Sequence, residues 1–409
     1  MAGTWNVNEI RKQFPLLKNQ DIAYLDNAAT SQKPTVVLDA AREFYDNYNA
    51  NPFRGLYELS EEATDRYEHA RKTVQKFINA RYPEEIIFTR NATEGLNLAA
   101  FSLGELVLEP GDEILVSISE HHSNLLPWQQ AAKRTGASVR YLECEKDGTY
   151  TVDALKKMLT PRTKILAMAQ VSNVFGRVND LKKFAEICHS QGVILVADGA
   201  QSVPHMPVDV QELGVDFLAF SGHKMLAPEG IGVLYGKLEW LEKMPPFLTG
   251  GEMIESVSRE GAVYAEVPHK FEAGTVNAGG AVALEAAINF INETGFDKIQ
   301  RWEDYLTELA FEKLRKIPYV HVIGSEKASD HHGILTFAVE GVHPHDVAAI
   351  LSADGVAVRA GHHCAQPLHQ YLGVMSTSRA SLAFYNTEDE VLRFVESVKQ
   401  LRRKMGYAE

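Results

Sequence analysis

The sequence of 409 residues has few cysteines and lacks long apolar runs. Its three cysteines, Cys144, Cys188 and Cys364, are far apart and odd in number, which does not suggest a disulfide framework. No segment approaches the apolar length that spans a bilayer, and the N-terminal stretch MAGTWNVNEIRKQF has no apolar core of the signal-peptide kind. We therefore expect a cytoplasmic protein with no membrane partner.

Charge and composition exclude further classes of protein. The formal charge of −13 is spread along the chain, and no basic stripe interleaved with aromatic residues is present, which argues against a nucleic-acid partner. With 45% hydrophobic residues and no low-complexity run, the composition is that of a globular protein rather than a disordered one. The length favours a large domain joined to a smaller one.

Short apolar runs alternate with helical patterns between about residues 84 and 236. The predicted strands lie in EEIIFT, EILVSIS, SVRYLEC, KILAMAQ, GVILVAD, VDFLAFS and GIGVLYG. The intervening LPWQQAAKRTGA, TVDALKKMLT and LKKFAEICHSQG have helical periodicity, and the last of these places Cys188 on a core-facing side. Apolar strands separated by helices predict an α/β fold with a mainly parallel seven-stranded sheet covered on both faces.

The rest of the chain predicts a second, smaller domain. A long helical pattern runs from about Ala281 to Ile317, and strands in HGILTFAVE, VAVRAG and SRASLAFYN follow, with helices between and after them. We interpret residues 21–265 as the large domain and residues 266–409 as a small α+β domain. Residues 1–20 are expected to pack with the small domain.

Polar residues follow the predicted strands, at the edge where ligands gather in parallel sheets. Lys224 in FSGHK lies just beyond a strand, where desolvation can lower its pKa and make it a nucleophile toward an aldehyde. A solvated loop lysine is the alternative. Asp198 ends the strand in LVADGAQS, and a buried carboxylate there needs a cation such as a protonated pyridine nitrogen. Its alternative role is a helix N-cap.

Other strand ends supply groups that suit the same kind of ligand. Gln201 can reach the phenolic oxygen of a pyridine ring. TRNATEGLNLAAF contains a helix start with Thr93 that favours phosphate binding, or is a simple N-cap. Ser221 and His223 are further hydrogen-bond donors to such a phosphate. His121 in SEHHSN can stack on the ring and move protons, with a metal site as the alternative.

The motifs EHHSN, VSNVFG, DGAQ, FSGHK, FEAGT and RAGHHCAQP occur in this order. Together they resemble the cysteine desulfurases, which are fold-type I pyridoxal phosphate enzymes of the class V aminotransferase group, and in particular the SufS type. The resemblance extends over nearly the whole chain, from YLDNAAT to SRASLAFYN. It implies an enzyme that converts L-cysteine to L-alanine with pyridoxal 5′-phosphate as cofactor.

The resemblance also implies a role for each matching residue near the cofactor. Lys224 would carry the cofactor covalently, and Asp198 would pair with its pyridinium nitrogen. Gln201 would hold the phenolic oxygen, while His121 would stack on the ring. The residues implied in phosphate binding are Thr93, Ser221, His223 and, from the second subunit of a homodimer, Thr275.

On the substrate side, Arg379 matches the arginine that clamps the substrate carboxylate, with Arg359 and Asn173 beside it. Cys364 matches the nucleophile that attacks the substrate sulfur and becomes a persulfide. Its thiolate is the reactive form, so neighbours that lower its pKa would help. The neighbours that we expect to do so are Arg359, His362 and His363.

Partners and departures also follow from the resemblance. A short cysteine loop of the SufS type implies a sulfur acceptor of the SufE or SufU kind and iron–sulfur cluster assembly as the destination of the sulfur. In GVHPHDVA, His345 matches a histidine that exchanges as a zinc ligand with SufU, although a helix N-terminal histidine is the alternative. We expect no resident metal.

Two positions depart from the pattern of the family. Phe53 stands where many members have histidine, which puts one contact at the site mouth in doubt. Ala92 stands where many members have threonine, which puts one phosphate-binding hydroxyl in doubt.

Two other functions remain open at this point. A selenocysteine lyase, or another β-eliminating lyase, would use the same fold and cofactor. A zinc-binding or thiol-based interaction protein would use HHCAQPLH, with His362, Cys364 and His369 as ligands, but this spacing is poor for a structural tetrahedral site.

Overall fold

A computed structural model describes residues 5–407. In chain order these residues form the strands β1 (Ala23–Tyr24), β2 (Ile86–Thr89), β3 (Glu113–Ser117), β4 (Ser138–Leu142), β5 (Thr163–Ala169), β6 (Ile194–Asp198), β7 (Phe217–Ser221), β8 (Gly232–Gly236), β9 (Ile254–Val257), β10 (Ala262–Tyr264), β11 (Val320–Val322), β12 (Ile334–Val339), β13 (Val356–Ala357), β14 (Arg359–Gly361) and β15 (Thr377–Ser381).

The same residues form the helices α1 (Val7–Arg11), α2 (Pro15–Asn19), α3 (Thr35–Asn47), α4 (Glu58–Phe77), α5 (Ala92–Leu98), α6 (Gly104–Val107), α7 (Leu126–Thr135), α8 (Val152–Met158), α9 (Leu181–Ser190), α10 (Val210–Leu213), α11 (Leu238–Lys243), α12 (Ala278–Thr294), α13 (Phe296–Leu314), α14 (Pro344–Ala353), α15 (Gln366–Leu372) and α16 (Glu388–Lys404). Between residues 5 and 407, none of the helices combines the length and apolarity needed to cross a membrane.

Among the described residues, seven strands form the larger sheet, in the order β2-β8-β7-β6-β5-β3-β4. The strands β7, β6, β5, β3 and β4 pair in parallel, whereas β8 runs antiparallel to both of its neighbours. Each of the seven predicted segments contains one of these strands, so the predicted α/β fold with a mainly parallel sheet is confirmed. Strands β5 to β8 are almost wholly buried, which explains their continuous apolar sequences.

The helices that cover this sheet follow from local signals in the sequence. Helix α9 begins after Asp180, whose side chain accepts a hydrogen bond from the main-chain N–H of Lys183. Its buried face consists of Leu181, Phe184, Ala185 and Cys188. This spacing is that of one side of an α-helix, so Cys188 faces the core as predicted.

The long helical pattern from Ala281 to Ile317 is two helices rather than one. Gly295 interrupts it with a φ of 86°, and helices α12 and α13 lie on either side. Helix α12 packs against α3 and α4, and its apolar side chains belong to the same buried cluster as one face of the large sheet. The predicted domain boundary at residues 265 and 266 stays a prediction. Helix α12, which follows that boundary, packs with the large sheet.

A second sheet of the described chain has the antiparallel order β11-β12-β15-β14 and packs with α13, α14 and α16. Strand β1 pairs in parallel with β13, which joins the beginning of the chain to this C-terminal layer. Near the N-terminus, Phe14 packs against Tyr385 with a ring-centroid distance of 4.5 Å, and Arg11 forms an ion pair with Glu390 at 2.7 Å. The sequence did not predict β11 or the β9–β10 hairpin.

Two parts of this architecture meet at one edge of the large sheet. The carboxyl ends of β3, β5, β6 and β7 face loops that follow β1 and β14, together with strand β15. Close backbone approach shapes this edge. A Cβ atom on Gly232 would lie 2.5 Å from Cα of Asn91, so only glycine lets β8 pack beside the start of α5.

Candidate active site

A cavity of about 570 Å³ lies where the strand ends meet the smaller sheet. Eleven of the twelve residues predicted for catalysis, cofactor binding and substrate binding line it: Thr93, His121, Asn173, Asp198, Gln201, Ser221, His223, Lys224, Arg359, Cys364 and Arg379. Thr275 lies elsewhere. The fold therefore brings together residues from strand ends and loops that span most of the sequence.

Lys224 and Asp198 lie at the ends of adjacent strands. Asp198 is the last residue of β6 and pairs in register with Ala219 of β7, while Lys224 closes the short 3₁₀ turn after β7. Burial lowers the pKa of Lys224 to about 8, and the charge of Asp198 opposes part of this shift. The side chain of Lys224 is half-buried and lines the cavity, which argues against the solvated-lysine alternative. An amine with this pKa is more available as a nucleophile near neutral pH.

The Asp198 carboxylate is buried, and burial raises its pKa. Its Oδ1 accepts a hydrogen bond of 2.9 Å from the main-chain N–H of Ala200. The chain after Asp198 forms a turn rather than a helix, so the alternative role of Asp198 as a helix N-cap is wrong. A buried carboxylate of this kind is stabilised by a cation, which a pyridinium ring would supply.

Gln201 and His121 bring different polar groups to the cavity. Gln201 Nε2 donates a hydrogen bond of 2.8 Å to the carbonyl of Ala28. His121 Nδ1 accepts from the main-chain N–H of Ser123 at 3.1 Å, so the proton of the neutral ring lies on Nε2. Burial, assisted by the charge of Lys224, lowers the pKa of His121 to about 3. The ring is therefore neutral at pH 7 and suited to stacking.

Hydroxyl groups cluster at the start of helix α5. The Ser221 hydroxyl accepts a hydrogen bond of 2.9 Å from the main-chain N–H of Ala92, which leaves its own proton to donate to an anion. Thr93 Oγ1 lies 2.7 Å from the hydroxyl of Ser123. Asn91 is the N-cap of α5, and its side chain accepts a hydrogen bond from the main-chain N–H of Glu94. The start of this helix therefore has an N-cap and, beside it, hydroxyl groups that can bind an anion.

His223 lies between Ser221 and Lys224 in the sequence and also lines the cavity. Burial lowers the pKa of its ring to about 4, with the charge of Lys224 as the next cause, so the ring is neutral at pH 7. Its carbonyl accepts hydrogen bonds from the main-chain N–H of Ser31 at 3.0 Å and from Nζ of Lys33 at 2.9 Å. These contacts tie the Lys224 turn to the loop after β1.

Two arginines approach the cavity from the smaller sheet. Arg359 binds the carboxylate of Asp26, with Nη2 2.8 Å from Oδ2 and Nε 3.1 Å from Oδ1. Arg379 is 3% exposed, and its Nη1 donates to the carbonyl of Asn173 at 2.9 Å. Within residues 5–407, Nε of Arg379 is buried without a hydrogen-bond partner. A buried guanidinium with a free donor is suited to bind a carboxylate.

Cys364 lies on the loop between β14 and α15 and is exposed. Both His363 and Cys364 have a left-handed backbone, with φ values of 50° and 56°. Asn173 Nδ2 donates to the carbonyl of His363, and the main-chain N–H of His122 donates to the carbonyl of Cys364, each at 2.7 Å. This conformation is uncommon for residues other than glycine, and contacts from the large sheet hold it.

One part of the prediction for the cysteine environment is wrong. His363 does not supply a positive charge, because burial lowers the pKa of its ring to about 2. Cationic groups that interact with the charge of Cys364 are Lys224, Arg359 and Arg379. Arg359 was among the predicted neighbours, whereas the sequence did not predict this role for Lys224 and Arg379.

The other two cysteines, Cys144 and Cys188, are buried, and for Cys188 this confirms the prediction. Burial raises the pKa of Cys144 to about 11 and that of Cys188 to about 12. Both therefore stay in the unreactive thiol form at neutral pH. Cys364 differs from them in its exposure and in the cations around it.

Three residues of interest lie outside the cavity formed by the described chain. Thr275 is exposed and borders a separate depression of about 480 Å³ near the start of α5. Phe53 packs edge-on against Tyr67 and His269, with ring-centroid distances of 5.8 and 5.0 Å. His345 is exposed in the first turn of helix α14. Ala92 does line the cavity, beside Thr93.

The geometry also bears on the zinc alternatives. Among residues 5–407, no group of three or more His, Cys, Asp or Glu side chains is arranged to hold a metal ion. Both ring nitrogens of His369 are engaged, Nδ1 by the carbonyl of Ala365 and Nε2 by the hydroxyl of Thr377, each at 3.0 Å. His369 therefore does not offer a free nitrogen to zinc beside Cys364.

Several residues that shape the cavity were missed from the sequence. Asp26 orients Arg359 and forms a longer ion pair of 3.7 Å with Arg379, and His122 anchors the cysteine loop. Glu120 is buried and accepts from Asn124 Nδ2 at 2.6 Å and from the main-chain N–H of Ala169 at 2.8 Å, thereby tying the segment after β3 to the end of β5. The signal for Asp26 was a carboxylate directly after the apolar run AYL, although its partners lie more than 300 residues away in the sequence.

Comparisons with known proteins assign the family. Residues 23–394 match the model of the class-V aminotransferases. The chain belongs to this family, and its cofactor is pyridoxal phosphate, as predicted. The chain is 48% identical over 406 residues to a probable cysteine desulfurase of Halalkalibacterium halodurans, covering 98% of this chain and 99% of the relative. It is 47% identical to a probable cysteine desulfurase of Staphylococcus aureus, covering 99% and 98%.

Solved structures agree with this assignment. The apo structure of a cysteine desulfurase from Thermococcus onnurineus matches with a TM-score of 0.94 and 41% identity, covering 99% of this chain and 100% of that one. The cysteine desulfurase CsdA (S-sulfonic acid) from Escherichia coli matches with a TM-score of 0.91 and 41% identity, covering 98% and 100%. The predicted resemblance and fold type are confirmed.

The residues around the cavity fit pyridoxal phosphate. Asp198 offers a buried carboxylate to a pyridinium nitrogen, and Lys224 offers an amine with a lowered pKa to the aldehyde. His121 is neutral and can lie against a ring. The Ser221 hydroxyl keeps a proton for a phosphate oxygen, because it already accepts from a main-chain N–H.

Proposed function

We propose that this chain is a cysteine desulfurase that converts L-cysteine to L-alanine and holds the released sulfur as a persulfide on Cys364. The observation that carries this proposal is the exposed Cys364 thiol, which lines the same cavity as the half-buried Lys224 and the buried Asp198. The names of the relatives, at 47–48% identity over almost the whole chain, support it. A plain aminotransferase has no use for a cysteine in this position.

The polar groups of the cavity divide into a cofactor end and a substrate end. Asp198 would pair with the pyridinium nitrogen, Gln201 would hold the phenolic oxygen and His121 would stack on the ring. Thr93, Ser221 and His223 would bind the phosphate. When bound, pyridoxal phosphate supplies an electron sink for the electrons released at the α-carbon of the substrate.

At the substrate end, Arg379 binds the carboxylate of L-cysteine. Its buried Nε and its Nη2 are free to donate, because Nη2 lies 3.7 Å from the carboxylate of Asp26, beyond hydrogen-bond distance. Arg359 and Asn173 lie beside it. Lys224, whose pKa is lowered to about 8, takes the α-proton once its amine is released from the cofactor.

Sulfur transfer then needs only the Cys364 thiolate. Its Sγ attacks the sulfur of the substrate, so the Sγ–S bond forms while the bond between that sulfur and the β-carbon breaks. The electron pair of the broken bond stays with the carbon fragment, which gives alanine once Lys224 returns the α-proton and one further proton comes from solvent. Three cationic groups, Lys224, Arg359 and Arg379, are close enough to interact with the charge of a thiolate at Cys364.

The decisive experiment incubates the cofactor-loaded protein with L-cysteine, quantifies alanine, and weighs the Cys364 peptide without reductant. We expect alanine together with one added sulfur atom on that peptide. Alanine without added sulfur would instead indicate direct elimination. If neither product forms, even with reductant and a candidate acceptor protein, the desulfurase proposal is wrong.

A homodimer that shares its phosphate sites is part of this proposal. Thr275 is exposed and lies outside the cavity of its own chain, which suits a residue that serves a second subunit. Exposed apolar side chains are available for such an interface, including Leu56 at 97% and Val257 at 67% exposure.

Mixed dimers of Lys224→Ala and Thr275→Ala subunits test this arrangement. If Thr275 serves the partner subunit, one site of the mixed dimer carries both defects and the other is intact, so about half of the wild-type activity returns. If Thr275 serves its own chain, the mixture stays no more active than Thr275→Ala alone. Light scattering of the wild-type protein reports the oligomeric state independently.

The sulfur acceptor is proposed to be a small protein of the SufE or SufU kind, and iron–sulfur cluster assembly the destination. A role for His345 as an exchanging zinc ligand is consistent with its exposure beside His343 on helix α14. The variant His345→Ala should lose stimulation by a zinc-bound acceptor, while His343→Ala is the matched control. The predicted cytoplasmic location stays a prediction that a fluorescent fusion would test.

A further inference from the structure

We propose that Thr377, His369 and His363 are positioning residues for the Cys364 thiol, an inference that rests on the proposed role of Cys364 as the sulfur acceptor within the enzyme. The three side chains form one chain of hydrogen bonds, the relay, that begins at His363 and ends at the carbonyl of Ala365. These end points are the two residues that flank Cys364. The relay therefore holds the backbone on both sides of the nucleophile.

The direction of each hydrogen bond in the relay follows from its chemistry. His369 Nδ1 lies 3.0 Å from the carbonyl oxygen of Ala365, and because a carbonyl only accepts, Nδ1 carries a proton. Burial lowers the pKa of His369, so the ring is neutral and Nε2 has a lone pair. The Thr377 hydroxyl donates to Nε2 at 3.0 Å and accepts from Nε2 of His363 at 2.9 Å.

Thr377 is the central member of the relay. It is fully buried at the first position of β15, so its hydroxyl is held by the smaller sheet rather than by the cysteine loop. Both imidazoles are buried beside it. Without the hydroxyl, two buried ring nitrogens lose a partner, and such groups are costly to leave unpaired.

The loop needs external support because its backbone is unusual. His363 and Cys364 are consecutive non-glycine residues with left-handed φ values. The large sheet holds their carbonyls through Asn173 Nδ2 and the main-chain N–H of His122. The relay holds the same loop from the smaller sheet. Cys364 is thus placed by contacts from both layers, although its own side chain is exposed.

The test compares Thr377→Val, which keeps the shape but removes the hydroxyl, with Thr377→Ser, which keeps the hydroxyl. Selenocysteine is the second substrate. Because a selenol leaves more readily than a thiol, turnover of selenocysteine should depend less on Cys364. For Thr377→Val we expect kcat with L-cysteine to fall about tenfold and KM to change less than about twofold, so the ratio of cysteine to selenocysteine turnover also falls about tenfold. Thr377→Ser should recover most of that ratio.

A second variant covers the case in which Thr377→Val folds poorly. In His369→Asn the amide nitrogen replaces Nδ1 at the carbonyl of Ala365, while the group that meets Thr377 is lost. It should lower the same ratio. Cofactor content and the thermal midpoint are measured for every variant so that the rates refer to folded protein.

Two results would overturn the positioning role while leaving the desulfurase proposal intact. The first is an unchanged ratio in both Thr377→Val and His369→Asn. The second is an equal loss with both substrates, which indicates a general structural defect. By contrast, a wild-type protein that forms no persulfide on Cys364 would overturn the proposed function and the relay's role together.

Discussion

The two sides of the cavity are built in different ways. The floor consists of groups at the ends of neighbouring strands, such as Asp198 at the end of β6 and Lys224 just after β7. The roof consists of Arg359, Cys364 and Arg379, which come from the smaller sheet and its loop. The floor depends on local strand pairing, whereas the roof depends on contacts between segments far apart in the sequence.

This difference separates what each side does in the proposed reaction. Floor residues hold the cofactor and move protons, so changes there should abolish turnover with every substrate. Roof residues recognise the substrate carboxylate and take the sulfur, so changes there should depend on the substrate. The roof is held by contacts between distant parts of the chain, because Arg359 binds Asp26, which lies more than 300 residues away in the sequence.

The largest effect is expected from the floor variant Lys224→Ala. Removing the amine removes both the covalent attachment of the cofactor and the group that moves the α-proton, so alanine formation should fall by about a thousandfold or more. Alanine release from equal amounts of cofactor-loaded protein measures this. The control is Lys270→Met, because burial also lowers the pKa of Lys270, and Lys270 does not line the cavity. Equal losses in both variants would contradict a special role for Lys224.

The next effect is expected from the roof variant Cys364→Ala. Turnover of L-cysteine should fall about a hundredfold, whereas turnover of selenocysteine should fall much less, because only the former needs the nucleophile. Cys188→Ala is the matched control, since Cys188 is buried in the core. The Cys188→Ala protein should still gain one sulfur atom on the Cys364 peptide. Equal losses with both substrates would remove the distinction between roof and floor.

A smaller effect is expected from Asp26→Asn, which weakens the support of the two roof arginines. We expect KM for L-cysteine to rise about tenfold with a smaller change in kcat, because a charged hydrogen-bond pair that orients Arg359 is lost. Asp21→Asn is the control, since Asp21 forms an ion pair with Arg393 but is almost fully exposed. A fall in kcat at constant KM would argue against carboxylate recognition by this side.

The smallest effect is a shift in pH dependence at the floor. Burial lowers the pKa of Lys224 to about 8, and only the unprotonated amine attacks an aldehyde. Attachment of added pyridoxal phosphate to the cofactor-free protein should therefore accelerate as the pH rises through about 8 and level off above it. Asp198→Asn should move the midpoint lower, because the charge of Asp198 raises the pKa of Lys224. A rate that keeps rising to pH 10 would show an ordinary lysine.

The floor was predicted well from the sequence because its signals are local. Apolar runs that end in DGAQ and SGHK place Asp198 and Lys224 at one edge once the strands pair in parallel. The core position of Cys188 was predicted for the same reason, from helical spacing. The break at Gly295 was missed, although glycine is a common place for a helix to end.

The roof was predicted as a set of residues but not as an arrangement. His363 was expected to supply a positive charge, but burial between the two sheets keeps it neutral. Asp26 and His122 were missed because their partners lie in other parts of the chain. No motif linked Thr377 to Cys364, and HHCAQPLH suggested His369 only as a zinc ligand, since the relay exists only when β15 packs beside the loop.

The sequence by itself determined the alternation of strands and helices, the seven strands of the large sheet and the residues at their ends. These features follow from periodicity and from residue types that act over a few positions. The tertiary structure alone decided which arginine is exposed and which is buried, which histidines are neutral, and how Cys364 is held. These properties depend on desolvation and on hydrogen bonds between distant segments, so they come into being only when the two sheets pack together.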